Sequence, residues 1–442
     1  MSKFLEKIRR YEENEQENPY ADSRKLKRPT NEGLGIYPTD IVNPKLVNRK
    51  VHPYNKKFSI GHWERTKDDD LFYRCYKNSS EQFKKETYDI FFGHKFISTS
   101  GVEYGSVMGV QSNERQYKNL LDIQEKYGTR ISLTLNDMNR PLKLLGQQEL
   151  TEFLNYLQKF YDDGVRSCTI SHTHLMRMGV LQDRFPDMHW KNTVNHCIRT
   201  TQEFYNYVAL GYNTIQLDRD YNRNLPELKR TFKEAQKIGV ETCLLIYESC
   251  MPECPFKTEH DIWQGGVLPK MHQSYWGTLK NTCVRWRQHP ALNKIEPAVA
   301  NPRTGTDVVM HDKSDWDDFA NNCDYFKLSG RLVDNWSEQN EVMLRGTEWR
   351  GKAYGVDSFK TIYDNNLIPI APWLKGLSVF LKDVDVISDP EQIKKDFETH
   401  FWNKPEAITL QKVLKACKNQ CYKCHKCDDL FGEKHVQSIL EA

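Results

Sequence analysis

Between residues 112 and 247 the chain repeats one pattern four times: an amphipathic stretch, a glycine, then a short β-rich run. SNERQYKNLLDIQEKYG, with Ser112 as its expected N-cap, ends at Gly128 and passes into RISLTLND. LTEFLNYLQKFYDDG ends at Gly164 before VRSCTISH, and TTQEFYNYVALG ends at Gly211 before NTIQLDRD. NLPELKRTFKEAQKIG ends at Gly239 before VETCLLIY. This last stretch sets Leu225, Leu228, Phe232, Ala235 and Ile238 on one face of a helix, the three-and-four spacing of an amphipathic element. Asn224 stands as its cap and Pro226 in its first turn, where a missing N–H costs nothing. A glycine at the far end supplies the left-handed residue that turns the chain back towards a sheet.

Helix, glycine and strand in alternation predict consecutive parallel βαβ units. Further strands are expected at DIFFGHKFIS (89–98), HWKNTVNHCI (189–198), CDYFKLSGR (323–331) and near NLIPIAP (366–372), about eight in all. Eight parallel strands predict an α/β fold of the (β/α)8, TIM-like barrel type. An open doubly wound sheet is the rival, but no GxGxxG follows the first strand,. The expected organisation is a partly irregular N-terminal extension over 1–85, the barrel over 86–385, and a helical tail with a Cys cluster over 386–442. Polar residues gather where strands are expected to end: Asn136 and Asp137, His172 and His174, Asn195, Asp218, Glu248 and Arg331. In such barrels that face builds the active site.

Bulk properties narrow the classes. A net charge of +3 over 442 residues argues against a general nucleic-acid-binding surface,. The basic run RKLKR at 24–28 reads first as solvated surface. The longest apolar runs, such as CLLIY at 243–247, are too short to cross a bilayer,. No charged-then-apolar signal segment opens the chain,. These features predict a cytoplasmic protein with no membrane partner, where clustered cysteines mean metal or catalysis more often than disulfides.

The 12 cysteines sort into two groups. Cys75, Cys168, Cys197, Cys243 and Cys323 stand in or near strands and read as small buried apolar side chains. The other seven are spaced as metal ligands. Cys250 and Cys254, in YESCMPECPFKTEHD, directly follow an apolar strand. Cys283 is a plausible third ligand from the next loop, and Cys417, Cys421, Cys424 and Cys427 crowd the tail. Thiolates bind soft or borderline metals, and a [4Fe–4S] cluster and zinc each take four ligands. Spacing does not separate the two. CKNQCYKC matches the CxxxCxxC of radical S-adenosylmethionine enzymes, but there the motif follows the first barrel strand, whereas here no barrel follows it.

LDRDYNRN carries a second constellation. Asp218, Arg219, Asp220 and Arg223 share a barrel face with Glu248. Two guanidinium groups among carboxylates hold an anionic substrate bidentately, or else they close the rim in salt bridges. His172 and His174 read as acid–base groups, ligands or plain surface residues. His260 is placed to cap a cluster or assist catalysis, and His94 to reach the same mouth.

VNHCIRTTQEFYNYVALGYNTIQLDRDYNRNLPEL, then ESCMPECPFKTEH, then DDFANNCDYFKLSGR together resemble the collagenase-like peptidase superfamily over roughly residues 88–345. Its better understood members resemble oxygen-independent hydroxylases of ubiquinone precursors or RNA bases. The resemblance implies a TIM-type barrel with an oxygen-sensitive [4Fe–4S] cluster at its mouth, with Cys250, Cys254 and Cys283 on family Cys positions. It points to Arg219 as an anion-binding residue, suited to a donor such as prephenate. It also implies an electron donor or a protein partner. The chain departs from the family in lacking the SGxC segment before the principal Cys pair and in carrying the Cys-rich tail, which would complete the barrel cluster or house a second one. No Ser/His/Asp arrangement or HExxH supports peptidase activity,.

Three readings follow. The first is an iron–sulfur hydroxylase-type enzyme, an oxidoreductase acting on an RNA or a small aromatic or anionic substrate, with Arg219, Asp218, Arg223 and His260 at its site. The second is a zinc-stabilised barrel binding RNA or a protein partner without redox chemistry. The third is a hydrolytic barrel using Asp218 and Glu248 as paired carboxylates.

Overall fold

A computed structural model describes residues 57–62, 70–78, 81–106, 112–246, 257–262 and 322–328, with the short pairs 353–354 and 386–387 and residue 423. The chain runs through β1 (Lys57–Gly61), α1 (Leu71–Asn78), α2 (Glu81–Glu86) and β2 (Thr87–Gly93). An antiparallel hairpin of β3 (Lys95–Ile97) and β4 (Glu103–Gly105) follows. Next come α3 (Glu114–Tyr127), β5 (Ile131–Leu135), α4 (Gln147–Asp162), β6 (Ser167–Ile170), α5 (Thr173–Met178) and α6 (Val180–Arg184). The remainder is β7 (His189–Lys191), α7 (Thr201–Ala209), β8 (Thr214–Gln216), α8 (Leu225–Ile238), β9 (Glu241–Ile246), α9 (Lys257–Ile262) and β10 (Tyr325–Leu328).

Eight of these strands close into a barrel in the order β1-β10-β9-β8-β7-β6-β5-β2. Every pairing in it is parallel. The fold is therefore the α/β barrel, and the open-sheet alternative is excluded. The closing strand is β1, which lies in the span expected to be an extension. The strand expected near 366–372 lies outside the described residues.

Two expected strands are shorter than their apolar runs. The 89–98 run breaks at His94, where β2 leaves the barrel and β3 starts the hairpin. The 189–198 run ends as strand at Lys191, because Asn192 turns its amide onto the Gln216 carbonyl (3.0 Å). Thr193 then caps a 3-10 turn over Val194–His196.

The four helix–glycine–strand units form as expected. Gly128, Gly164, Gly211 and Gly239 all have positive φ. The cap of α3 is Asn113 rather than Ser112: its side chain accepts from Gln116 N (2.9 Å) while Gln116 Oε1 accepts from Asn113 N (3.1 Å). That reciprocal pair satisfies two orphan donors at once. Ser112 Oγ instead lies 3.0 Å from His62 Nδ1. Between helices and strands, Leu120, Ile123, Phe153, Leu157 and Phe160 are fully buried. Each such side chain contributes about 1.5–3 kcal/mol of burial.

Strand alternation and register place the inward side chains in layers. Glu241, His189 and Arg130 lie at the N-terminal end, where Glu241 Oε2 accepts from Tyr88 Oη and, at 3.0 Å, from Thr214 Oγ1. Above them Asp89 takes Lys191 Nζ and Ser59 Oγ, each at 2.5 Å. The next layer towards the mouth holds Phe91, Thr169, Gln216 and Lys327, and the one above it Gly61, Thr134 and Leu245. Barrels of this type usually fill these positions with branched apolar residues. Here most are polar.

Candidate active site

The C-terminal strand ends gather one ion network. Asp218, two positions past the end of β8, is fully buried. Its Oδ2 accepts from Arg199 Nε at 2.5 Å and its Oδ1 from Lys257 Nζ at 2.5 Å. Arg199 also donates to Asp220 Oδ2 at 2.9 Å, and Lys257 lies 3.7 Å from the same carboxylate. Asp218 Oδ1 further caps the 3-10 turn Arg219–Arg223 by accepting from Asp220 N. Local sequence drives this geometry: an Asp before the turn satisfies its first free amide.

Burial raises the Asp218 carboxyl, but Lys257 and Arg199 outweigh it and hold the group below the usual carboxylate range. For Lys257, burial and the Arg219 charge push down, while Asp218 and Asp220 prevail and raise it. Asp218 and Lys257 therefore both stay charged at neutral pH. Asp218 is thus a fixed anchor for two cations, ill suited to be a general acid.

Arg219 is 5% exposed, and its Nη2 donates to Asn195 Oδ1 at 2.9 Å. Asn195 sits on the turn after β7, which ends at Cys197 in the left-handed region (φ 55°). Cys197 is half-buried, and burial, then the Asp218 charge, raises its thiol. Cys168, Cys243 and Cys323 are buried thiols, as their strand positions predict.

Two histidines flank this cluster. His172, after β6, is fully buried and its Nε2 faces Pro141 O at 3.4 Å. His196 Nε2 faces Ser171 O at 2.8 Å. In both rings Nδ1 is buried with no hydrogen-bond partner. Burial pushes His172 down to about 4 and His196 down to about 3. Asp137, after β5, is buried and pushed up to about 6, with Asn139 N holding its Oδ1 at 2.8 Å. His174 is exposed. His94 is drawn away onto α4, its Nδ1 2.9 Å from Tyr156 Oη.

Of the sequence candidates, Asp218 and Arg219 come together here. The backbones of Arg223 and His260 fall in the 3-10 turn and in α9, while their side chains lie outside the described ones. Cys250, Cys254, Cys283, Cys417, Cys421, Cys424 and Cys427 lie outside the described residues, as do Glu248 and Arg331. Among the described residues no group of three or more His, Cys, Asp or Glu side chains is arranged to hold a metal. Sequence reasoning missed Arg199 and Lys257. A buried Asp needs a cation, and Lys257 stands inside the Cys-rich string itself.

No protein-family model matches the chain. No curated protein matches it either. A solved structure described as that of the U32 peptidase Mk0906 overlaps 62% of this chain and 93% of its own, with a TM-score of 0.40 and 12% identity. At that overlap it says nothing about activity. Among the described residues no helix is long and apolar enough to cross a membrane.

Proposed function

We propose that this protein is an enzyme working at the C-terminal mouth of its barrel on an acidic substrate, with a thiolate-held [4Fe–4S] cluster beside that mouth, of the oxygen-independent hydroxylase type. The observation that supports this reading is the seat of Lys257. The segment bearing Cys250 and Cys254 leaves β9 after Ile246 and rejoins the described chain at Lys257. Lys257 is bound to Asp218, next to Arg219. Cys254 stands three positions before Lys257 along the chain, so chain reach keeps their Cα atoms within about 11 Å.

The donor set suits such a group: seven clustered thiols are enough for four ligands,. When bound, a cluster of this kind supplies one-electron chemistry. The protein's own part follows from the ion network. Arg219, steadied by Asn195, orients an anionic substrate group with a charge that does not titrate. Asp218 holds Lys257 and Arg199 in place, so the arrangement is set before substrate arrives.

Iron, sulfide and zinc content of anaerobically purified protein tests this, beside a Cys250→Ala/Cys254→Ala variant. About four or eight irons per chain are expected, with about four lost in the variant. Zinc without sulfide would sink the proposal.

A further inference from the structure

Above the Asp89–Lys191 pair, the barrel axis carries a further cation, Lys327, on β10. Its Nζ donates to Gln216 Oε1 at 3.2 Å and lies 4.4 Å from the centre of the Phe91 ring. Gln216 is itself fixed, its Nε2 donating to Asn192 O and to Thr169 Oγ1. Lys327 keeps 9% exposure where Lys191, deeper in the barrel, keeps 2%, so its approach is from the mouth.

The layer above holds one bulky side chain, Leu245, and two small positions. Its inward position on β1 is Gly61, and beside it on β5 stands Thr134, whose register neighbours are Gly93 and Thr169. Neither glycine puts a side chain on the axis. Thr134 is fully buried, its neighbours Leu133 and Leu135 face the helices, and its Oγ1 has no hydrogen-bond partner. A buried hydroxyl left unpaired is costly, and native folds rarely keep one without a use.

We propose that the top of the barrel interior seats an anionic group, a carboxylate or a phosphate, between the Lys327 ammonium and the Thr134 hydroxyl. The ammonium gives a charge-assisted hydrogen bond and the hydroxyl a second donor. Gln216 and the Phe91 face set the direction of the ammonium beforehand. This deepens the reading of the mouth as an acidic-substrate site and rests on it. The seat fixes one anionic end of the molecule on the axis, while Arg219 faces a more distant part of it at the rim.

Acetate and inorganic phosphate, titrated separately into the full-length protein by calorimetry and by thermal melting, test the seat. Whichever anion binds more tightly identifies the group. Lys327→Met is expected to weaken that probe at least about tenfold and Thr134→Val a few-fold, as loss of hydrogen bonds to a charged group predicts. Arg219→Gln is expected to leave these small probes nearly unaffected. Thr134→Val removes no charge and almost no volume, so it reports on the seat even if Lys327→Met fails to fold. No saturable binding by either probe, or unchanged binding in Thr134→Val, overturns the seat. Loss of binding in Arg219→Gln with retention in Lys327→Met overturns the seat and leaves the mouth reading standing. Retention in both removes the two together.

Discussion

Lys257 and Asp218 meet at the barrel mouth with Nζ 2.5 Å from Oδ1, although 39 residues separate them. Both are buried. Replacing Lys257 by Met leaves a buried carboxylate with Arg199 as its nearest cation. Breaking a buried pair from one side costs about 3–5 kcal/mol, and the retained Arg199 puts the expected loss near the lower figure. The folded Asp218 sits below its ordinary 3.8, so this stability is present at neutral pH and is lost as pH falls below that value. Urea unfolding of both proteins near neutrality and in acid should show the gap closing in acid.

Asp137 behaves in the opposite sense. Burial raises it to about 6 from an ordinary 3.8, so the ionised form burdens the fold at neutral pH. Relief comes as pH falls through 6. Asp137→Asn should stabilise the protein at pH 7 by up to about 3 kcal/mol, with the gain vanishing near pH 4. An effect independent of pH would show that the hydrogen bond from Asn139, rather than the charge, decides.

His172 and His196 are neutral in the fold, depressed to about 4 and about 3 from an ordinary 6.5 by burial. The unfolded chain takes up their protons first, so stability is full above 6.5 and falls as pH drops towards 4. His196→Gln should flatten that slope by about one proton, read from melting temperature against pH.

Cys197 adopts φ 55° and ψ 47°, a left-handed conformation that costs a side-chain-bearing residue about 1–2 kcal/mol,. Cys197→Gly should recover up to about 1 kcal/mol of that, while Cys197→Val should lose stability. Thermal melting of the pair gives the sign directly.

Much of the barrel could be read along the chain because its units are local. An amphipathic helix, a glycine in the left-handed region and a β-rich run are each short-range signals, and α3, α4, α7 and α8 all obey them. β1 escaped because KFSIG is one brief run in a polar stretch of little apolar periodicity. The mouth was legible in part. Asp218 and Arg219 stand in one string, but their partners Arg199, Asn195 and Lys257 come from other loops, and no periodicity links such residues. The polar axis was likewise hidden. Asp89 and Lys191 lie on strands β2 and β7, three strands apart round the barrel, and only its curvature brings them to 2.5 Å.

The seam between β1 and β10 has a consequence for how the molecule assembles. Ser59 pairs with Lys327, so β1 waits for β10, the last barrel strand described. Until Leu328 has emerged, β1 and β9 present two open sheet edges, the kind that recruit other chains. A chain truncated before β10 would keep those two edges uncovered, so it is expected to aggregate where the closed barrel does not,.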